Sequence, residues 1–336
     1  MVKRGKVTMS DVAQLAGVSP MTVSNVINDR VRVSDDARER VLAAIRESGY
    51  QVNAAARNLR SGRSGVIGLA VPQVDNTFFG MMAALVIEEA QRHGYHVAIE
   101  QTGAIAKGEA AAIAQSRRLQ LDGLILSAVD IDALVPMLAP GYPIVLLGEQ
   151  DPAGRFDHIT VPNEAGTAAA TEHLIDRGCE RIAVVTGGDL DRLTMMTRRY
   201  NGYRTVLEDR GLGPDPRLRF ILDSLSWEGA RETGRRIAES DLGVDGVVAC
   251  SDTVAMGVVR GLRDRGVNVP DDMRVIGFDN VPESAVFIPS LSTVNPDHRW
   301  KAAKAVDLII SRIADPTIPP RQYTPPFEII QRESTA

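Results

Sequence analysis

Residues 8–34 read TMSDVAQLAGVSPMTVSNVINDRVRVS. Thr8 and Asp11 stand three positions apart, the spacing of a helix cap that closes on itself. Val12 and Leu15 give the first helix an apolar face, and Ala16-Gly17-Val18 turns the corner. Ser19 then caps a second helix with Pro20 at its first position, where a missing N–H costs nothing. In that helix Val23, Val26 and Ile27 point inward, leaving Pro20, Met21, Thr22, Ser24, Asn25 and Asn28 as a polar, nearly uncharged outer face. Two short helices joined in this way form a helix-turn-helix, whose second helix fits the major groove of DNA.

The stretch resembles the opening of the lactose-repressor (LacI) family of bacterial transcription regulators. That family's D-V-A, A-G-V-S, T-V-S and V-N or I-N elements are met by Asp11-Val12-Ala13, Ala16-Gly17-Val18-Ser19, Thr22-Val23-Ser24 and Ile27-Asn28. A third helix follows, capped by Ser34 and carrying Val41, Leu42 and Ile45 up to Ser48-Gly49-Tyr50. Asn53-Ala54-Ala55-Ala56-Arg57-Asn58-Leu59-Arg60-Ser61-Gly62 then resembles the family's hinge helix.

Charge is unevenly distributed. The chain of 336 residues has a net charge of -5, yet residues 1–63 hold 11 Lys plus Arg against 6 Asp plus Glu, a net of +5, and the remainder carries -10. The basic front can neutralise phosphates while the acidic body avoids them. Cys179 and Cys250 fit no metal or redox spacing and suit a reducing compartment. No apolar run approaches the roughly 20 residues of a membrane span, and no signal-peptide core opens the chain, so a cytoplasmic location is expected and a secreted binding protein disfavoured.

After Ser64 short apolar runs alternate with amphipathic stretches. Strands are expected at 66–71, 95–100, 122–127 and 143–147, then at 181–186, 219–223, 245–249 and 274–278, with helices near 79–93, 107–120, 131–139, 164–177, 198–210, 227–239 and 253–265. Such alternation gives parallel sheets covered on both faces. Together with the resemblance, it implies an N-terminal all-α helix-turn-helix domain (1–52), a hinge (53–63) and an α/β two-lobed, periplasmic-binding-protein-like domain (64–336). Lobe 1 is expected at about 64–162 and 293–322, and lobe 2 at about 163–292 and 323–333. The resemblance also implies three crossings between lobes, near Val161-Pro162-Asn163, Ser290 to Thr293 and Pro319 to Pro325.

By resemblance, Pro20, Met21 and Asn25 meet base edges, and Asn25 suits adenine. Thr8, Ser19, Thr22, Ser24, Asn28, Arg32 and Ser34 fall where phosphate contacts fix register; each has an equal reading as a cap or solvated side chain. Asn53 opens the hinge, where Ala56 permits close approach to the groove and Arg57 and Arg60 supply charge. Leu59 matches the family's wedge, inserted between base pairs in the minor groove; its alternative is packing on the neighbouring hinge helix. About eight residues are too few for a stable isolated helix, so the hinge is expected to fold only on DNA.

For the body, Asp75 or Asn76 and Phe78 or Phe79 resemble the first effector loop. Arg199 matches an effector-contacting arginine, with Arg198 as competitor, and Trp227 matches an aromatic placed over a sugar ring or else is an ordinary core tryptophan. Ser251-Asp252 and Asp279-Asn280 follow strands and resemble ligand-facing positions. Carboxylate, amide, guanidinium and indole together suit a sugar first and a nucleobase second. No metal site or cofactor is expected: the His residues are scattered, no full dinucleotide or phosphate-loop motif occurs, and a sugar-processing enzyme is the remote alternative. The resemblance thus implies an effector-controlled repressor of carbohydrate-utilisation genes, a homodimer on palindromic double-stranded DNA without membrane association. The tail after Arg332 lacks the leucine heptads of a tetramer.

Overall fold

The computed structural model describes residues 7–27, 33–50, 63–129, 131–134, 141–149, 153–188 and 194–336. The expected site residues Asn28, Arg32, Asn53, Ala56, Leu59 and Arg60 lie outside the described residues. Contacts divide the chain into two compact units, Met1–Ser64 and Gly65–Ala336.

The first unit packs α1 (Met9–Ala16), α2 (Pro20–Ile27) and α3 (Asp35–Ser48) around Val12, Ala13, Ala16, Val23, Val26, Val41 and Ala44. Thr8 Oγ1 accepts from the Asp11 amide while the Asp11 carboxylate accepts from the Thr8 amide at 2.8 Å, the reciprocal cap expected. Gly17 ends α1 at φ 63°, a left-handed turn that favours glycine. Leu15, read as part of the apolar face, is instead 48% exposed. Ala13 and Ala16 take its place because the small side chains let α1 lie close against α2 and α3.

In the second unit, one sheet holds β1 (Val66–Val71), β2 (His96–Gln101), β3 (Gly123–Ser127), β4 (Ile144–Leu147), β5 (Asp157–Ile159) and β11 (Gln322–Tyr323). Their order is β11-β5-β4-β3-β1-β2, all parallel. Ile67, Leu69, Ile125 and Val145 face α4 (Thr77–Arg92) and α12 (His298–Ala314). The alternate residues Ala70, Leu124, Leu126 and Leu146 face α5 (Ala106–Arg118) and α6 (Ile131–Leu134).

The other sheet holds β6 (Ile182–Thr186), β7 (Arg219–Ile221), β8 (Gly246–Ala249), β9 (Arg274–Phe278), β10 (Ser292–Pro296) and β12 (Phe327–Ile330), in the order β12-β10-β9-β8-β6-β7. One face packs on α7 (Asn163–Asp176) and α8 (Met195–Asp209), the other on α9 (Trp227–Glu239) and α10 (Asp252–Arg263). A short α11 (Glu283–Val286) follows β9. Each sheet is therefore buried on both sides, which accounts for strands that read as continuous apolar runs.

The chain passes between sheets after Ile159, after Pro296 and after Tyr323. The second passage differs from the expectation at 290–293: Ser292–Pro296 is a strand pairing with β9, and only then does α12 return to the first sheet. β12 is antiparallel to β10 because β10 runs toward the crossing and β12 runs away from it. Strands β5, β10, β11 and β12 and helix α12 were not among the expected elements.

Candidate nucleic-acid interface and interlobe site

At the N-terminus of α2, Ser19, Pro20 and Met21 are exposed, Met21 at 69%, while Thr22, Ser24 and Asn25 are half-buried. Ser19 Oγ accepts from the Thr22 amide at 3.1 Å, and Ser34 Oγ accepts from the Ala37 amide. Thr8, Ser19 and Ser34 therefore serve as helix caps. Burial of Val23 and Val26 fixes the opposite face of α2, so the N-terminal end of the helix is the part free to enter a groove.

The second constellation forms where the ends of strands from both sheets meet. Arg199 on α8 is 5% exposed. Its Nε donates to Asn163 Oδ1 at 2.7 Å, its Nη1 to the Cys250 carbonyl, and its Nη2 to Asp279 Oδ1 at 3.3 Å. The guanidinium lies 3.5 Å from the Phe278 ring centre, a stacked cation–π arrangement. From the first lobe, Glu149 accepts from the Asn163 side-chain amide, and His298 Nε2 donates to the Asp279 carbonyl at 2.7 Å. His298 also meets Phe78 edge to face at 5.4 Å between ring centres. The two lobes thus touch through polar bridges whose residues follow β4, β5, β9 and β10.

Burial sets the electrostatics. Desolvation raises the Asp279 and Glu149 carboxyls above the usual range, opposed first by the Arg199 charge in each case. The same burial pushes the His298 imidazole down to about 4, with Lys301 adding to the effect. Asp279 and Asn280 both hold positive φ, 113° and 48°. Such left-handed non-glycine residues cost of order 1–3 kcal/mol each and gather at sites where a side chain must be aimed. The strain is held by the Asp279 amide on the Val294 carbonyl at 2.9 Å and the Asn280 amide on Thr293 Oγ1 at 3.2 Å.

The family model for bacterial regulatory proteins of the lacI family matches residues 8–53, and that for a periplasmic binding protein-like domain matches residues 171–335. The ribose operon repressor of Halalkalibacterium halodurans is 32% identical over 98% of this chain and 97% of its own length. The PurR repressor of Vibrio atlanticus is 30% identical over 97% of this chain and 98% of its own. A solved structure of a putative LacI-family transcriptional regulator from Sanguibacter keddieii is 36% identical, covering 82% of this chain and 99% of its own with a TM-score of 0.75. The chain belongs to the LacI family. It is a DNA-binding transcription regulator and not an enzyme. No helix among the described residues is long and apolar enough to cross a membrane.

In this LacI-family chain the expected effector residues divide. Arg199 and Asp279 meet directly, while Arg198, the competitor, is half-buried, pairs with Glu164 at 3.4 Å and lines a neighbouring depression with Glu149 and Asn163. Phe79 packs edge to face on Phe78 at 5.0 Å, but it is Phe78 that reaches His298; Asn76 caps α4 and Asp75 is exposed beside it. Asn280 is taken by Arg332, whose Nη2 donates to its Oδ1 at 2.7 Å.

Ser251 caps α10 beside Cys250. Asp252 is fully buried, and its carboxylate accepts from Val281 N at 2.9 Å, Ser284 Oγ at 2.7 Å and Thr293 Oγ1 at 2.6 Å. With three protein donors on its carboxyl, it braces the Asp279 turn from behind. Gly277 permits this, since a Cβ there would stand 2.2 Å from Asp252 Oδ1. Trp227 is 52% exposed and lines a separate depression of about 480 Å³ with Met256, Arg260, Phe287 and Ile288. The structure brings it to no member of the Arg199 cluster. Glu149, Asn163, His298 and Lys301 were not singled out as ligand-facing from sequence; the available signal was their position at strand or helix ends facing the crossings.

Proposed function

We propose that this regulator is a repressor that binds a palindromic operator as a homodimer, with one α2 in each half-site and Leu59 of each hinge wedged into the minor groove. Its operator affinity is set by a sugar-class effector held between the lobes. The observation that carries the effector half is the Arg199 cluster: a buried guanidinium, two carboxylates and an amide drawn from both lobes, able to exchange cross-lobe hydrogen bonds for bonds to ligand hydroxyls. A ligand that bonds both lobes favours one lobe arrangement, which is how its binding energy would reach the hinge. The relative named as a ribose operon repressor supports a sugar. The PurR relative, with Phe78 and Phe79 at the cleft, supports a nucleobase as second reading. Action on DNA places the protein in the cytoplasm, at the nucleoid when bound.

Selection of bound sequences from a random duplex library, with and without mixed sugars and nucleobases, tests the reading. An enriched palindrome whose recovery changes with the pool is expected; enrichment of asymmetric sites, or none in any condition, would sink it. Leu59→Ala is expected to reduce operator binding at least tenfold more than binding to unrelated duplex. Equal losses, read by anisotropy, would remove the wedge.

A further inference from the structure

We propose that the effector carries an anionic group, a carboxylate or phosphate, and that Lys301 receives it. This rests on the sugar reading above and narrows it to acidic sugars. Lys301 lies in the first turn of α12 and is 3% exposed; its backbone N–H donates to the Asp297 carbonyl, while its side chain makes no hydrogen bond or ion pair among the described residues. Its ammonium stands 5.9 Å from the centre of the Phe78 ring and feels the charges of Glu149 and Asp279, which favour it, and of Arg199, which opposes it. Both carboxylates are engaged elsewhere, Asp279 by Arg199 and Glu149 by the Asn163 amide. An ammonium has three donors and no acceptor, and a buried charge is ordinarily paired. Burial accordingly holds Lys301 below the ordinary lysine range.

His298, three residues earlier and so on the same helical face, points the same way. Its Nε2 donates to the Asp279 carbonyl, while Nδ1 is buried without a partner among the described residues. In the neutral ring Nδ1 is an acceptor. The cleft therefore offers a cation that has the Phe78 ring beside it but no ion-pair partner among the described residues, next to acceptors on His298, Glu149 and Asp279. A neutral sugar would fill the acceptors and leave the ammonium with hydroxyl oxygens alone. A sugar acid or sugar phosphate fills both.

The test is thermal stabilisation of the full-length protein by millimolar D-gluconate, D-galacturonate and D-ribose 5-phosphate, each beside its neutral parent sugar, with adenine and hypoxanthine as a further arm. At least one acidic member is expected to bind tenfold or more tightly than its parent, the carboxylate and phosphate arms telling which anion is meant. Lys301→Met should bring that ratio close to one, while Lys301→Arg should retain most of it. If Lys301→Met fails to fold, the wild-type ratio and the Arg variant still decide. Equal binding of the neutral parent, an unchanged ratio in Lys301→Met, or no binding by any acidic member overturns the assignment. Binding by neutral sugars alone leaves the sugar reading standing, whereas binding by the nucleobases alone removes both.

Discussion

Asp252 and His298 lie on either side of the Asp279 turn, and burial pushes them in opposite directions. The Asp252 carboxyl is raised to about 7 by desolvation, helped by the nearby Asp279 charge and opposed by its three donors. An unfolded Asp titrates near roughly 3.9. The folded chain therefore holds the extra proton between about pH 4 and 7, and the stability this gives, complete below about 4, is lost as pH rises to about 7. For His298 the folded value, about 4, is below the unfolded 6.5 or so. Its contribution is present above about 6.5 and is lost as pH falls through about 4. Over much of the same window the two slopes oppose each other. Asp252→Asn removes one of them, so its stability relative to wild type should climb with pH by about 1.4 kcal/mol per unit between roughly 4 and 7. Urea unfolding at several pH values reads this difference; a flat difference curve would mean that Asp252 is ionised throughout.

Single helices are where local sequence decides most. The Thr8 and Asp11 cap is reciprocal, and both partners lie within four residues, so it was visible before any fold was known. Thr8→Ala should cost about 1 kcal/mol of α1, seen as roughly fivefold faster exchange of the Asp11 and Val12 amides if opening is local. Unchanged exchange would show that packing on α3, and not the cap, holds that end. The same locality explains why α1, α2, Gly17 and most central strands were legible. It also explains α12, the longest described helix missing from the expectations: its cap, Asp297, follows directly on Ser292–Pro296, a strand whose polar STVN run reads as a connection. β5, at three residues, is too short to show a period. Of the site, Arg199 and Asp279 were legible through family-like motifs. Asn163, which bonds Arg199, Glu149, which bonds Asn163, and the nearby Lys301 are 36 residues or more from Arg199 in sequence, and no local pattern links them. Trp227 stands apart from the Arg199 cluster, lining a depression with Met256, Phe287 and Ile288, because an aromatic at a helix start reads alike in sequence whichever neighbours the packing of α9 on α10 gives it.

Across the whole molecule, function depends on two charge regimes. Residues 1–63 carry +5 and the rest -10, although the chain as a whole, at -5, would be repelled by a polyanion. At physiological salt the Debye length is about 8 Å, so the body's charge cannot cancel contacts that the front makes directly with phosphates. It can only discourage the body from lying on DNA. Operator affinity should then fall steeply with salt, with a slope of log K on log salt set by front residues, about 0.9 for each phosphate neutralised. Arg32, expected at a phosphate, is the residue on which this can be tried. Arg32→Gln should weaken operator and unrelated duplex by similar factors and reduce the slope by about 0.9 per subunit, leaving the selected palindrome unchanged. Neutralising an exposed acid of the body, as in Glu172→Gln, should leave the slope alone. Anisotropy titrations between 50 and 200 mM salt give both numbers. A slope that moves with Glu172 as much as with Arg32 would mean that the body itself touches the duplex, and the division of labour between a basic reader and an acidic sensor would have to be abandoned.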